Sequence, residues 1–334
     1  MEYRTLGRTG IRVPAVGFGC GNVGGLMIRG SHDVQVHAVQ HAIGLGIDYF
    51  DTAAAYGDGQ SETHLGEVLA ELRPDVRVAT KFRIAPEDAG DIAGAVRRSL
   101  EASLRRLQRD SVDLLQLHNN LRAGRGPGRT VTAHDVLRSG GIADALDGLR
   151  SEGLVRFMGF TGMGETAEVH EVIASGRFDT VQAYYNLLNP SAGEPVPGDY
   201  PNQDYRQLMT RAAEQHMGVI VIRSLAGGAL GGAAAREGLA SRAPSGMADG
   251  NDYESDVARA EALAFLARRG WTVAQAAVRF ALDHAATSTV VVGYSEEAQI
   301  DAAAAAADAE PLTDDVLAKL RELWATDLGL AGSA

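Results

Sequence analysis

The chemistry of this chain gathers at Asp51, Tyr56, Lys81 and His118. A tyrosine titrates near pH ~10 and is a poor acid or base at neutral pH until a cation stabilises its phenolate. Lys81 can supply that cation, and Asp51 can pair with Lys81 and hold its ammonium in place. His118 can donate a hydrogen bond to a substrate carbonyl oxygen and orient it. Singly, each has an ordinary explanation: Asp51 as a loop cap, Tyr56 as a half-buried aromatic, Lys81 as a solvated cation, His118 as a satisfied core histidine. Together they describe an acid/base and oxyanion-type site for a carbonyl. None of them supplies a hydride, so redox chemistry here needs a cofactor.

The elements around these residues explain how they meet. Short apolar runs at residues 15–18, 49–51, 76–81, 112–118, 155–160, 180–184, 218–222 and 289–292 read as strands. Amphipathic segments at residues 32–45, 61–71, 91–108, 142–152, 166–175, 204–216 and 255–283 read as helices, the last broken at Gly270–Trp271. Ser61 with Glu62 is expected to open one helix and Thr272 to cap another. The Ala-rich run at 302–307 is a further helix former. Buried strands alternating with helices imply parallel βαβ units, and eight units favour closure. The expected fold is α/β, one domain over residues 1–334: a (β/α)8 TIM barrel with an N-terminal β-hairpin. Asp51, Lys81 and His118 close consecutive strands, so such a barrel gathers them at one rim.

Three long segments, 119–141, 189–203 and 224–253, follow strands and so fall at the C-terminal face, where active sites form. The rival architecture, a dinucleotide-binding domain followed by a substrate domain, needs a phosphate loop that opens a helix. The glycines of Gly17-Phe18-Gly19-Cys20-Gly21-Asn22-Val23-Gly24-Gly25 do not stand in that arrangement.

The stretch Asp51–Tyr56 with Gly57, the later Ser61-Glu62-Thr63-His64-Leu65-Gly66, the isolated Lys81 and Val112-Asp113-Leu114-Leu115-Gln116-Leu117-His118 resemble the catalytic signatures of the aldo-keto reductase family. The similarity in order and spacing runs from Arg4 to about Leu323. It implies a tetrad of Asp51, Tyr56, Lys81 and His118, and a nicotinamide cofactor, NAD(P)H, lying extended across the barrel mouth. By the same resemblance Gly19, Cys20 and Gly21 form a cofactor-contacting turn, with Asp51 beside it, and Gln182 holds the carboxamide. Ser224, Leu225, Gly227, Gly293 and Ser295 are further expected contacts.

Three positions depart from the family pattern. Gly159-Phe160-Thr161-Gly162 keeps a hydroxyl at Thr161 but lacks the usual amide. Arg223 is expected where many relatives stack an aromatic residue on the nicotinamide. Gln299 sits where an arginine grips the adenosine 2′-phosphate in NADP-specific relatives, with Glu296, Glu297 and Asp301 around it. The expectation is that NAD(H) is used at least as well as NADP(H).

The remaining composition sets limits. A formal charge of −12 argues against nucleic acid or an anionic membrane as partner, while the resemblance implies a small-molecule carbonyl or sugar. The start, Met1-Glu2-Tyr3-Arg4, has no apolar leader, and no run has spanning length. A single cysteine, Cys20, excludes an internal disulfide and fits a reducing, cytoplasmic setting. His32, His37, His41 and His64 lack metal-ligand spacing. Arg122, Arg125 and Arg129 form a small basic cluster that suits a carboxylated or phosphorylated substrate, or only solvates a loop. A cofactor-bound redox sensor, like the potassium-channel β-subunits that resemble this family, is the alternative to an enzyme. Oligomeric state is not legible in the chain.

Overall fold

The computed structural model of the protein describes residues 1–124, 130–231, 238–241, 253–267 and 270–329. Arg125, Arg129, most of the 224–253 segment and the chain end around Gly332 lie outside the described residues. Eight parallel strands close into one barrel in sequence order: β1 (Val16–Gly19), β2 (Tyr49–Asp51), β3 (Arg77–Phe82), β4 (Val112–Leu117), β5 (Val155–Thr161), β6 (Thr180–Tyr184), β7 (Gly218–Ile222) and β8 (Thr287–Gly293). Closure is made by β8 on β1, with Val290 opposite Val16 and Gly293 opposite Gly19. Helices including His32–Gly44, Gln60–Leu72, Ile92–Leu107 and Val273–Asp283 intervene between strands, so every strand is covered on its outer face.

Alternation along the strands sorts the core in two. Phe18, Phe50, Leu115, Met158, Val181 and Val290 point outward into the helical layer. Tyr49, Ala79, Leu114, Ile220 and Val291 point inward, together with Leu6, Ile11 and Val13 from the N-terminal hairpin Tyr3–Thr5/Arg12–Pro14. That hairpin seals the N-terminal end of the barrel. Gly7 (φ +50) lies so close to Gly218 that an added Cβ would stand 2.1 Å from its backbone nitrogen, so the seal requires glycine there. The strand C-termini are left as the open mouth. Among the described residues, no helix is long and apolar enough to cross a membrane.

Most expected elements form within a residue or two of their expected ends, and the exceptions have local causes. The 204–216 helix shrinks to Leu208–Glu214, because the Asp204 carboxylate accepts from Arg206 N at 2.7 Å and Arg206 and Gln207 take left-handed φ of 49° and 54°. The break near Gly270 is real, separating Tyr253–Glu261 from Val273–Asp283, and Thr272 caps the second with a reciprocal Gln275 box. Ser61, by contrast, is not a cap: the helix opens at Gln60 after Gly59, and the Ser61 hydroxyl donates to Cys20 O at 2.8 Å. The 119–141 segment carries its own helix, Ala133–Leu137, and Asp314–Trp324 adds a terminal helix that the strand–helix alternation did not indicate.

Candidate active site

Lys81, on the inward face of β3, is 1% exposed, and Asp51, at the end of β2, is 3% exposed. The Lys81 ammonium donates to Asp51 Oδ1, to Thr52 O at 2.9 Å and to the Tyr56 hydroxyl at 3.3 Å. Three oxygens therefore account for its three protons. Tyr56 is held by a tight loop after β2, in which Tyr56 N donates to Ala53 O at 3.0 Å and Gly57 N donates to Asn22 Oδ1 at 3.0 Å. His118, just past β4, is tied by its N–H to Phe82 O at 2.9 Å and by its carbonyl to Arg83 Nε at 3.1 Å. Its ring meets the Tyr56 ring edge-on, with centroids 5.8 Å apart and planes at 88°. The phenol and the imidazole thus border one space at the mouth, which is where a carbonyl oxygen would have to sit to use both.

Asp51 carries more than the lysine. Gln116 Nε2 donates to Asp51 Oδ2 at 3.0 Å and Gln182 Nε2 donates to the same oxygen at 2.7 Å. Lys81 therefore has Oδ1, and two neutral amides share Oδ2. Thr161 Oγ1 reaches Gln182 Oε1 at 3.5 Å, so the residues expected to hold the carboxamide are adjacent. Gly21 lies beneath the tyrosine, where an added Cβ would be 3.6 Å from Tyr56 Cζ.

Burial pushes the Tyr56 phenol above its ordinary value; the Lys81 charge pulls it back, without reversing the rise. For Lys81, burial alone would favour the neutral amine, and the charges of Asp51 and Tyr56 overturn that, so its proton is held more tightly than usual. Lys81 thus acts on the phenol in the direction expected of it, against a desolvation penalty larger than its own pull.

Beside the tetrad, a cavity of about 400 Å³ opens between the ends of β7 and β8. Gly19 links the two, standing opposite Asp51 on one side and Gly293 on the other. Arg223, Ser224, Leu225, Gly227, Gly293, Ser295 and Gln299 all line the cavity; Gly19, Cys20, Gly21, Asp51, Thr161 and Gln182 belong instead to the barrel mouth. Cys20 buries its thiol in the outer core layer, 1% exposed, gives its N–H to Asp51 O and takes the Ser61 hydroxyl on its carbonyl, so it builds the turn. Arg223 stands where it can reach into the cavity. Ile222 takes the inward position at the end of β7, and Arg223 follows with φ 59° at the cavity wall, its guanidinium 5.9 Å from the centre of the Tyr184 ring.

At about 400 Å³ the cavity lies within the usual range of ligand pockets, and its lining suits part of an extended dinucleotide. Gly227 and Gly228, with φ of 69° and 106°, fold the backbone after β7 without side chains in the way. On the side expected to hold the adenosine, Gln299 Oε1 accepts from Ser295 N at 2.8 Å and its Nε2 donates to Ser295 Oγ at 3.0 Å, making a neutral polar wall. Of the three carboxylates expected there, Glu296 lines the cavity, while Asp301 turns away to His41 at 2.7 Å.

Sequence reasoning assigned no site role to Gln116, and gave Glu62 only a part in opening a helix. Glu62 is fully buried on the outer side of β3, taking the Thr80 hydroxyl on one oxygen and Arg106 Nε at 2.7 Å on the other, which braces the strand that carries Lys81. Its only signal was a charged residue inside an apolar helix face.

Comparison with known proteins agrees with this geometry. The Aldo/keto reductase family model matches residues 15–325, and the chain belongs to that family of oxidoreductases. It is 31% identical over 307 residues to L-galactose dehydrogenase of Arabidopsis thaliana, covering 90% of this chain and 86% of that one. It is 30% identical over 217 residues to D-threo-aldose 1-dehydrogenase of a Pseudomonas species, covering 56% of this chain and 62% of the relative. In structure it resembles the holo form of an aldo-keto reductase from Bacillus halodurans, with a TM-score of 0.70 and 24% identity over 100% of this chain and 98% of that one.

Proposed function

We propose that this protein interconverts a carbonyl and an alcohol, or an aldose and its lactone, with Tyr56 as the group that gives and takes the proton. The observation that carries the reading is the buried run from Asp51 through Lys81 to Tyr56, in which a fixed ammonium stands 3.3 Å from the phenol oxygen. The nicotinamide, when bound, supplies or accepts the hydride. Tyr56 donates its proton to the substrate oxygen in reduction and removes the hydroxyl proton in oxidation. Lys81 steadies the phenolate that remains in the first case, Asp51 holds Lys81, and His118 orients the oxygen.

An aldose is the substrate class that the two dehydrogenase relatives support. The cofactor is NAD(H) at least as readily as NADP(H). Residues 293–303 hold no lysine or arginine, and Glu296 lines the cavity where a 2′-phosphate would add two negative charges. Fluorescence titration with NADH and NADPH, followed by turnover of a panel of small aldehydes and aldoses, tests both parts. Tight NADH binding with aldose oxidation is the expected result. NADPH binding clearly tighter than NADH would overturn the cofactor assignment, and binding of neither would overturn the hydride-transfer reading.

A further inference from the structure

Beneath Asp51 the barrel interior is closed and unexpectedly polar. In a barrel of this kind, inward side chains from alternate strands form layers. Asp51, Gln116, Gln182 and Val291 make one layer; the next below is Gly17, Ala79, Gly159 and Ile220; the next is Tyr49, Leu114, Thr180 and Thr289. The middle layer therefore has two positions with no side chain and one methyl. An added Cβ on Gly17 would meet Tyr49 Cδ1 at 2.8 Å and Thr289 Oγ1 at 3.4 Å, and one on Gly159 would meet Thr180 Oγ1 at 2.2 Å and Gln116 Cγ at 3.1 Å. The two glycines thus let Thr289 and Thr180 of the layer below bring their hydroxyls up to the middle layer, with Gln116 of the layer above against the second. The hairpin residues Leu6, Ile11 and Val13 close the space from underneath.

Four polar atoms around this layer have no hydrogen-bond partner in the protein: Tyr49 OH, Gln116 Oε1, Thr180 Oγ1 and Thr289 Oγ1. All four residues are at most 1% exposed. Three are donors and one is an acceptor, and the acceptor is fixed: because Gln116 Nε2 donates to Asp51, its Oε1 must point the other way. Native cores satisfy such groups, and water does so wherever a polar space offers two to four partners. We propose that this small-residue layer is an internal hydration site, and that the water held there fixes Gln116 as a positioning residue for Asp51. The water donates to Gln116 Oε1 and accepts from two of the hydroxyls, which locks the amide with its Nε2 toward the carboxylate. Gln116 then keeps part of the Asp51 charge occupied, so that less of it opposes ionisation of Tyr56. The titratable groups that face this arrangement are Lys81, Tyr56, Cys20 and Tyr49 around Asp51, Asp113 behind Tyr49, and His118 against Tyr56.

The positioning role rests on the proton chemistry proposed above; the hydration site does not. A high-resolution crystal structure of the full chain is expected to show ordered water within about 3.2 Å of Gln116 Oε1 and of at least two of the three hydroxyls. A Thr180→Val, Thr289→Val double variant keeps side-chain shape and should lose that water. Gln116→Met keeps volume but removes the donor; the alkaline limb of its pH–rate profile should move up by about one pH unit, a tenfold change in the ionisation equilibrium. A packing role alone would lower activity at every pH and leave the limb in place. A dry layer in the crystal, or an unshifted limb in Gln116→Met, would overturn the inference. If Tyr56→Phe retains full activity, the proton assignment fails instead, and the water density alone then judges the site.

Discussion

Lys81 Nζ stands 3.3 Å from the Tyr56 hydroxyl and 4.9 Å from the centre of its ring, so the cation lies at the oxygen end of the tyrosine. With its other protons committed to Asp51 and Thr52 O, the ammonium has one direction left, and that direction is the phenol. Substituting Tyr56→Phe removes the proton-transfer group and little else. Turnover should fall by about 10²- to 10⁴-fold while cofactor affinity stays within about twofold, checked by single-turnover rates and fluorescence titration.

Lys81→Met addresses the other partner. It leaves Asp51 buried with only the amides of Gln116 and Gln182 as donors. Breaking a buried pair from one side costs about 3–5 kcal/mol, readable as a lower midpoint in urea unfolding. Adding Asp51→Asn should return part of that loss, because the uncompensated charge goes with it.

The pH dependence follows from the raised proton affinity of Tyr56. Burial holds the phenol protonated above its ordinary range, with Lys81 only moderating the effect. Reduction needs the protonated form, so its rate should be flat through neutrality and fall in the alkaline range. Oxidation needs the deprotonated form and should rise over the same range. Lys81, its own affinity raised by Asp51 and Tyr56, stays charged across it. Initial rates in both directions from pH 6 to ~11 check the opposed limbs.

Cofactor choice can be moved at Gln299. Its amide closes on Ser295 rather than reaching for a phosphate. Gln299→Arg should raise NADPH affinity relative to NADH by about tenfold, since one arginine–phosphate contact is worth about 1.4 kcal/mol or more. Adding Glu296→Gln should increase the change. Paired titrations with the two cofactors measure it.

The strand ends were readable from the sequence because a buried strand announces itself by apolar runs, and three of the four tetrad residues terminate such runs. What sequence could not give was who meets whom inside the barrel. Gln116 lies 65 residues from Asp51, and Gln182 lies 131 away, so no local spacing joins them. The direction of Arg223 was hidden for a related reason. One residue decides whether a strand-end side chain faces the barrel axis or the cavity, and Ile222, being apolar, gave no chemical hint that it held the inward place. Helix ends went astray only where side chains override the backbone, as Asp204 does at Arg206.

The pairing of β8 with β1 has a consequence for the birth of the protein. All four tetrad residues are synthesised within the first 118 positions, yet the ring that gathers them closes only when residues 287–293 arrive to pair with 16–19. A nascent or truncated chain therefore carries every reacting group before the barrel that supports them is closed. Contacts so distant in sequence form late and slowly, which leaves the strand edges of β1 open to wrong partners in the interval. The scaffold of the site is complete only once translation has passed its last strand.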